Sequence, residues 1–353
     1  MARLRILSTS EQVAAYLRAE VERGHWFGMM PGVNQLAPEL GVTRKTVEVA
    51  LRQLEREGLL TNRGAGRKRL IVLSGGASIR PMRVAILLYE PADRRLEYLV
   101  ELQHALAEAG HTVITASKSL TELNMDVARV SRLVKQTAAD AWVVVAGSAG
   151  VLEWFRAQTR PVFALFGRRE GLAIAAMGPD KSPALTAATR HLIGLGHRRI
   201  VMLCRQLRRL PKPGSSEQAF LDELKANGLP VSDFNLPDWE ESREGFQKLL
   251  HSLFRVTPPT ALIIDEASFF VATQQFLAGR GIRVPQHVSL VCTDADPIFA
   301  WCTPSISHIG WDTHTLVRRI VSWAATVSRG GRDVKQTSVP AEFVTGDTTG
   351  PSV

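Results

Sequence analysis

The chain has 353 residues, of which 45% are apolar and 22% charged, and its formal net charge is +9. This length exceeds one typical domain, and the composition is that of a soluble globular protein with ample core. Three cysteines without C-x-x-C spacing argue against a disulfide framework or a zinc site and fit a reducing cytoplasm. The apolar run of residues 141–152 is too short to span a bilayer, so we expect a cytoplasmic protein of two or three domains.

Positive charge is concentrated at the N-terminus. Residues 1–73 hold 12 Lys and Arg against 7 Asp and Glu, a net charge of +5 in the first fifth of the chain. A basic segment of this kind is typical of a nucleic-acid-binding domain.

The first predicted element is a helix that begins near Ser10. Val13, Leu17 and Val21 share one face, and Gly24 can end the helix. A second short helix is predicted for residues 35–40, and the Gly41-Val42 turn leads from it into the next element.

A third helix is predicted between Thr43 and Gly58. The Thr43 hydroxyl can accept a hydrogen bond from an amide of the first turn, and Gly58 can close the helix in the left-handed conformation. An apolar stripe is predicted to pack inward at Val47, Ala50, Leu51 and Leu54. The opposite face is basic, with Lys45, Arg52 and Arg56. Alone, this pattern is equally typical of an ordinary surface helix.

Residues 59–72 read as strand, glycine turn and strand. We predict that its tip carries four basic residues, Arg63, Arg67, Lys68 and Arg69. With the helices before it, this hairpin predicts a winged helix-turn-helix.

Residues 10–73 closely resemble the GntR family of bacterial transcription regulators. The resemblance is carried by GVTRKTV at residues 41–47, by the A-L-x-x-L-x-x-E-G-L pattern that follows, and by the glycine wing. It implies contacts to double-stranded operator DNA by Asn34, Gln35, Thr43, Arg44, Lys45, Thr46, Glu48, Arg52, Arg63, Gly64, Gly66 and Arg67.

Two of these positions depart from the family pattern, because Asn34 and Glu48 stand where the family generally has arginine. Asparagine pairs with adenine and glutamate can accept from cytosine N4, so we expect an altered sequence preference with binding retained.

A small-residue linker is predicted at residues 74–81, between a DNA-binding domain at 1–73 and a second domain at 82–353. In the second domain β-rich apolar runs alternate with helical patterns, such as those of residues 96–109 and 127–136. This alternation predicts an α/β fold with mostly parallel sheets in two lobes. The predicted apolar runs are residues 84–89, 112–116, 142–146, 162–166, 191–193, 200–204, 261–264 and 288–291.

No motif predicts an enzyme. Ser148 follows a strand, but a nucleophile elbow needs G-x-S-x-G and Ala146 stands at the first glycine. Gly64-Ala65-Gly66 continues into neither a dinucleotide nor a phosphate-loop motif, and no H-E-x-x-H occurs. We therefore expect no catalytic centre, no metal and no cofactor.

The second domain resembles the effector domain of the Lac-repressor family, which has a two-lobed, periplasmic-binding-protein-like, Rossmann-type fold. The resemblance is carried by HLIGLGHRRI at residues 191–200, PTALII at 259–264, GIRVPQHVSL at 281–290, and Asp294 with Pro304. It implies a small-molecule effector held by residues at strand ends.

The resemblance assigns effector contacts to Asp180, Arg205, Ser216, Asp265, Glu266 and Asp294. Ser216 replaces the family's ligand arginine, for which Arg205, Arg208 or Arg209 can substitute. A sugar, polyol, nucleoside or amine suits this acidic set. For Asp180 a helix cap is the alternative, for Asp294 a bond to the lobe hinge, and for Trp239 and Trp301 packing instead of stacking on a ligand.

We thus expect a homodimeric DNA-binding transcription regulator whose second domain binds an effector, and the resemblance implies that it is a repressor. The alternative is a regulator whose second domain has lost small-molecule binding and serves dimerisation or a protein partner.

Overall fold

The computed structural model describes residues 8–22, 26, 29–62, 64, 69–71 and 80–352. The chain divides into two compact units, Met1–Met177 with Thr313–Thr337 and Gly178–Asp312 with Ser338–Val353. It therefore passes from one unit to the other three times. Within the described ranges, no helix has both the length and the apolar character needed to cross a membrane.

The first unit begins with three helices and a two-stranded antiparallel sheet. These elements are α1 (Thr9–Glu22), α2 (Val33–Glu39), α3 (Arg44–Arg56), β1 (Leu60–Thr61) and β2 (Leu70–Ile71). They enclose a core of their own, in which Leu17, Leu36 and Leu51 are fully buried. Helix-turn-helix and hairpin are the predicted order, and the winged fold is confirmed. The predicted helix end at Gly24 lies outside the described residues.

The rest of the first unit is a five-stranded parallel sheet in the order β4-β3-β5-β6-β7. All five residues of β5 are buried, because helices cover the sheet. The elements are β3 (Arg83–Leu87), α4 (Glu97–Glu108), β4 (Thr112–Thr115), α5 (Val127–Gln136), β5 (Ala141–Val145), α6 (Ala149–Arg156), β6 (Val162–Leu165), β7 (Ala175–Asp180) and α12 (Thr313–Ser328).

The second unit holds a sheet in the order β8-β9-β10-β11-β12, in which β12 alone is antiparallel to its neighbour. Its elements are α7 (Ser182–Gly194), β8 (Ile200–Leu203), α8 (Gln206–Arg209), α9 (Ser215–Ala226), α10 (Arg243–Val256), β9 (Ala261–Ile264), α11 (Ala267–Ala278), β10 (Ser289–Cys292), β11 (Ser307–Trp311) and β12 (Gln336–Val344). Short 3-10 helices at Pro91–Arg95 and Pro297–Trp301 complete the two units.

The predicted α/β architecture with mostly parallel strands is confirmed, but one of the apolar runs was assigned to the wrong element. Residues 191–193 belong to α7, whose buried face repeats at Leu185, Ala188 and Leu192. A three-residue apolar run cannot distinguish a strand from one turn of a helix, whereas the longer stripe can.

Candidate functional site

Helix α3 begins and ends as its sequence predicts. Thr43 is extended, and its Oγ1 accepts a hydrogen bond of 3.2 Å from the amide of Thr46. Gly58 has φ +77°, a left-handed conformation that costs glycine little. The turn before the helix contains Gly41 at φ +62°. Both ends of α3 are therefore fixed by local interactions.

The two faces of α3 are strongly different. The predicted inner stripe of Val47, Ala50, Leu51 and Leu54 is buried, which confirms that prediction. The opposite face exposes Lys45, Val49, Arg52 and Arg56 at helical spacing, with Arg44 at its start. Val49 was missed, although its position four residues after Lys45 and three before Arg52 places it on this face. Because side chains on this face extend from a capped, well-packed helix, they can enter a major groove together.

The other residues assigned to DNA near α3 are divided between helix and turn. Asn34 and Gln35 are exposed in the first turn of α2. The hydroxyl of Thr46 lies 2.8 Å from that of Thr43, so both contribute to the start of α3.

Arg69 of the hairpin lies in a different place from the one predicted. Only 15% of its side chain is exposed, so the prediction that it lies at a basic tip is wrong. Its Nε donates to Glu55 at 2.5 Å and its Nη2 to Glu48 at 2.8 Å, because the residue stands at the base of β2 against α3. Burial alone would lower the pKa of Arg69, but the hydrogen bonds to these two acids outweigh it and raise the pKa.

Part of the predicted wing lies within the described residues. Gly64 is exposed with φ +110°, and its amide donates to Asn62 at 2.9 Å, a side chain to backbone turn. Arg63, Gly66, Arg67 and Lys68 lie outside the described residues.

In the second unit, polar side chains gather where parallel strands end. Arg205 follows β8, Asp265 follows β9 and Asp294 follows β10, so three of the predicted effector residues share this edge. Asp265 is buried and accepts from Thr293 Oγ1 at 2.9 Å. Burial would raise the pKa of Asp265, but the charges of Arg208 and Lys181 outweigh that effect and lower it.

Arg205 is enclosed by acids. Its Nε and Nη2 each lie 2.6 Å from a carboxylate oxygen of Glu266, and its Nη1 donates to Glu241 at 2.8 Å. The guanidinium also lies 4.9 Å from the ring centre of Phe269. This arrangement holds Arg205 in place within the protein, and Glu241 was not predicted.

The two following arginines are also paired. Arg208 contacts Glu217 at 2.7 Å and Asp265 at 3.4 Å, while Ser216 lies half-buried beside Glu217 at the start of α9. The buried Arg209 contacts Asp238 at 2.7 Å. We refer to Arg205, Arg208, Glu217, Glu241, Asp265 and Glu266 as the strand-end cluster.

Two acids lie outside this cluster. Asp294 forms an ion pair with the buried Lys181, whose ammonium lies 4.4 Å from the ring centre of Trp311. This pair replaces the backbone bonds that were the alternative for Asp294. Asp180 accepts a hydrogen bond of 3.2 Å from the amide of Ser182, the first residue of α7, while Lys181 occupies the N-cap position.

Neither tryptophan singled out in the sequence supplies a stacking platform within the cluster. Trp239 is buried and donates its indole N–H to the carbonyl of Cys204 at 3.1 Å, so it packs. Trp301 is 87% exposed on the 3-10 helix Pro297–Trp301. In the first unit Ser148 caps α6 by accepting from Val151 at 3.3 Å, a structural role.

Family models match two separate parts of the chain. Residues 9–67 match the gntR family of bacterial regulatory proteins, and residues 189–349 match a periplasmic binding protein-like domain. The first match contains α1 to α3, and the second contains the strand-end cluster. No curated protein shows significant similarity to this chain.

Solved structures resemble the chain at low identity. A LacI family transcriptional regulator from Enterococcus faecium with bound ribose is 16% identical, covers 76% of this chain and 99% of its own, and has a TM-score of 0.62. The transcriptional regulator CelR in complex with cellobiose is 16% identical, with coverages of 90% and 100% and a TM-score of 0.63. The lac repressor dimer bound to operator and the anti-inducer ONPF is 17% identical, with coverages of 77% and 95% and a TM-score of 0.60. At these identities the likeness concerns the fold.

Proposed function

We propose that this chain, a DNA-binding transcription regulator in which a GntR-type domain precedes a periplasmic-binding-protein-like domain, is a repressor that binds operator DNA as a homodimer. The observation that carries the proposal is the exposed basic face of α3, formed by Lys45, Arg52 and Arg56 on a helix capped at both ends. Cations at this spacing can contact phosphates on either side of a groove while neighbouring side chains contact bases.

Homodimerisation follows from how such helices read DNA. One helix of this length covers only a few base pairs, so two copies in successive major grooves give the affinity and spacing that a specific site requires. We expect a near-palindromic operator and one dimer per site.

A small-molecule effector is the second part of the proposal. Acids and bases of the strand-end cluster converge at the edge of a parallel sheet, where ligands of such folds bind. The similar structures with ribose and cellobiose support a sugar, and polyols, nucleosides and amines fit the same acidic set.

One observation favours the alternative, a second domain that binds no small molecule and serves dimerisation or a protein partner. Arg205 and Arg208 are held by acids of the same cluster, so their charges are already neutralised within the protein. A ligand would have to compete with these ion pairs or bind beside them.

A thermal-shift screen of the full chain against sugars, polyols, nucleosides and amines distinguishes an effector-binding second domain from one that binds no small molecule. Saturable stabilisation by one compound, with a melting temperature that rises with concentration, supports an effector and excludes the alternative. If the screen finds none while operator binding is intact, the effector proposal fails and the alternative stands.

A further inference from the structure

Arg69 connects the hairpin to two positions on α3 that are about two helical turns apart. Glu48 and Glu55 are seven residues apart on the helix, so their side chains share one face. One guanidinium spans both, with Nη2 on Glu48 at 2.8 Å and Nε on Glu55 at 2.5 Å. Side-chain exposures of 15% for Arg69 and 20% for Glu55 limit the screening of these charges by solvent.

The main chain of Arg69 is fixed as well. Its carbonyl accepts from the amide of Met30 at 2.8 Å, and Leu70 pairs with Met29 in an isolated bridge. Arg69 is therefore anchored on one side to the segment before α2 and on the other side to α3.

The hairpin needs such an anchor because its own sheet is minimal. Within the described part of the hairpin, strands β1 and β2 pair at Leu60 with Ile71 and at Thr61 with Leu70. A two-stranded hairpin is marginal on its own, so its direction depends on the bonds of Arg69 to α3 and to the segment before α2.

Glu48 is already engaged on the protein side. Its Oε1 accepts from Arg69 and, at 3.3 Å, from Arg52 Nε on the next turn of α3. If Glu48 turned to a cytosine amino group, the largely buried Arg69 would lose one of its two acids, which carries a desolvation cost.

We infer that Arg69 and Glu48 act as a positioning pair that fixes the wing against α3, and that Glu48 orients Arg52 instead of reading a base. This inference rests on the DNA-binding role of α3 proposed above. It replaces the sequence-based expectation that Glu48 accepts from cytosine. The departure of Glu48 from arginine then changes how the wing is held.

The experiment uses the full chain and the duplex that wild type selects from a random-sequence pool. Affinities are measured for Glu48→Gln, Arg69→Gln, the double variant and Arg69→Lys, with Glu39→Gln, an exposed acid at the end of α2, as the matched control. We expect each single variant to weaken binding roughly 3- to 30-fold and the double variant to be no weaker than the worse single one, as for contacting residues. Arg69→Lys should fail to restore binding, because an ammonium cannot span the two acids in the way that the guanidinium fork does.

Base preference is the second readout. The ranking of single base-pair variants of the site should be the same for wild type and Glu48→Gln, and Arg69→Gln should leave the salt dependence of binding unchanged. A preference changed at one base pair by Glu48→Gln alone would show direct reading and overturn the inference. The inference would also be overturned if Arg69→Gln lowered the slope of log affinity against log salt and Arg69→Lys restored binding. That result would place Arg69 on a phosphate.

Failure of the proposed function has a different signature. If wild type selects no sequence, the DNA-binding proposal fails, and the positioning role fails with it. The double-mutant cycle repeated on melting temperature needs no DNA, and additive effects there would overturn the pair itself.

Discussion

Nε2 of His197 lies 2.9 Å from Oγ of Ser289 and 2.9 Å from the carbonyl of Gly350. The imidazole therefore joins the turn after α7, strand β10 and the C-terminal segment within the second unit. Burial lowers the pKa of His197, and the same cause lowers the pKa of the half-buried His191.

These lowered pKa values predict a direction for the effect of pH on stability. The unfolded chain binds protons near pH 6.5, whereas the folded chain binds them only at lower pH, so the stabilisation is present above about pH 6.5 and is lost as pH falls through the folded values. We expect the melting temperature to drop between pH 7 and pH 5, and His197→Gln to reduce that slope. The exposed His287→Gln is the control. Equal slopes for wild type and His197→Gln would contradict this assignment.

A second prediction concerns Arg319 and Asp333 in the first unit. Two hydrogen bonds of 2.7 and 2.9 Å join them, and their side chains are 14% and 12% exposed. Asp333→Asn leaves a largely buried guanidinium without its acid and should lower stability by about 2 kcal/mol. Calorimetry of the full chain measures the change, and Asp233→Asn, an exposed acid, should have almost no effect. Equal melting temperatures for wild type and Asp333→Asn would show that the pair contributes nothing.

The cap of α3 gives a third prediction. Thr43→Ala removes the acceptor for the Thr46 amide and should cost about 1 kcal/mol of stability, whereas Thr43→Ser keeps the oxygen and should cost much less. Thermal unfolding of the two variants beside wild type tests the comparison. Loss of equal size in both would assign the effect to packing of the threonine methyl group.

The basic face of α3 gives a fourth prediction. Arg52 is 68% exposed on this face, so its contact with DNA should be to a phosphate. Arg52→Ala should weaken binding to all duplexes alike and reduce the slope of log affinity against log salt by about 1. Titrations at several salt concentrations measure the slope, with Arg255→Ala on α10 as the control. An unchanged slope would remove Arg52 from the interface.

A feature of the structure could be predicted from the sequence when the interaction that determines it is local. The cap at Thr43, the left-handed Gly58 and the buried stripe of α3 involve neighbours along the chain, and all were predicted. Arg69 was misplaced because its partners, Glu48 and Glu55, are 21 and 14 residues away. A run of basic residues around a glycine turn does not show which of them folds back onto a helix.

The same limit applies to the second unit. The family resemblance assigned Arg205, Asp265 and Asp294 to the effector site, and the three residues lie at one edge because parallel strands end there. Glu241 was not found, because it reaches Arg205 from a segment 36 residues further along the chain. Pairing among these charges, which bears on whether an effector binds there, follows from tertiary packing that no spacing reveals.

The most direct test of the central claim is selection of duplexes by the full chain, followed by a gel-shift titration with the selected site. Wild type should select a near-palindromic sequence, and Arg44→Ala and Lys45→Ala should each weaken binding about 10-fold or more, since both residues are exposed at the start of α3. If both variants bind the selected site as tightly as wild type does, α3 is not the helix that reads the operator.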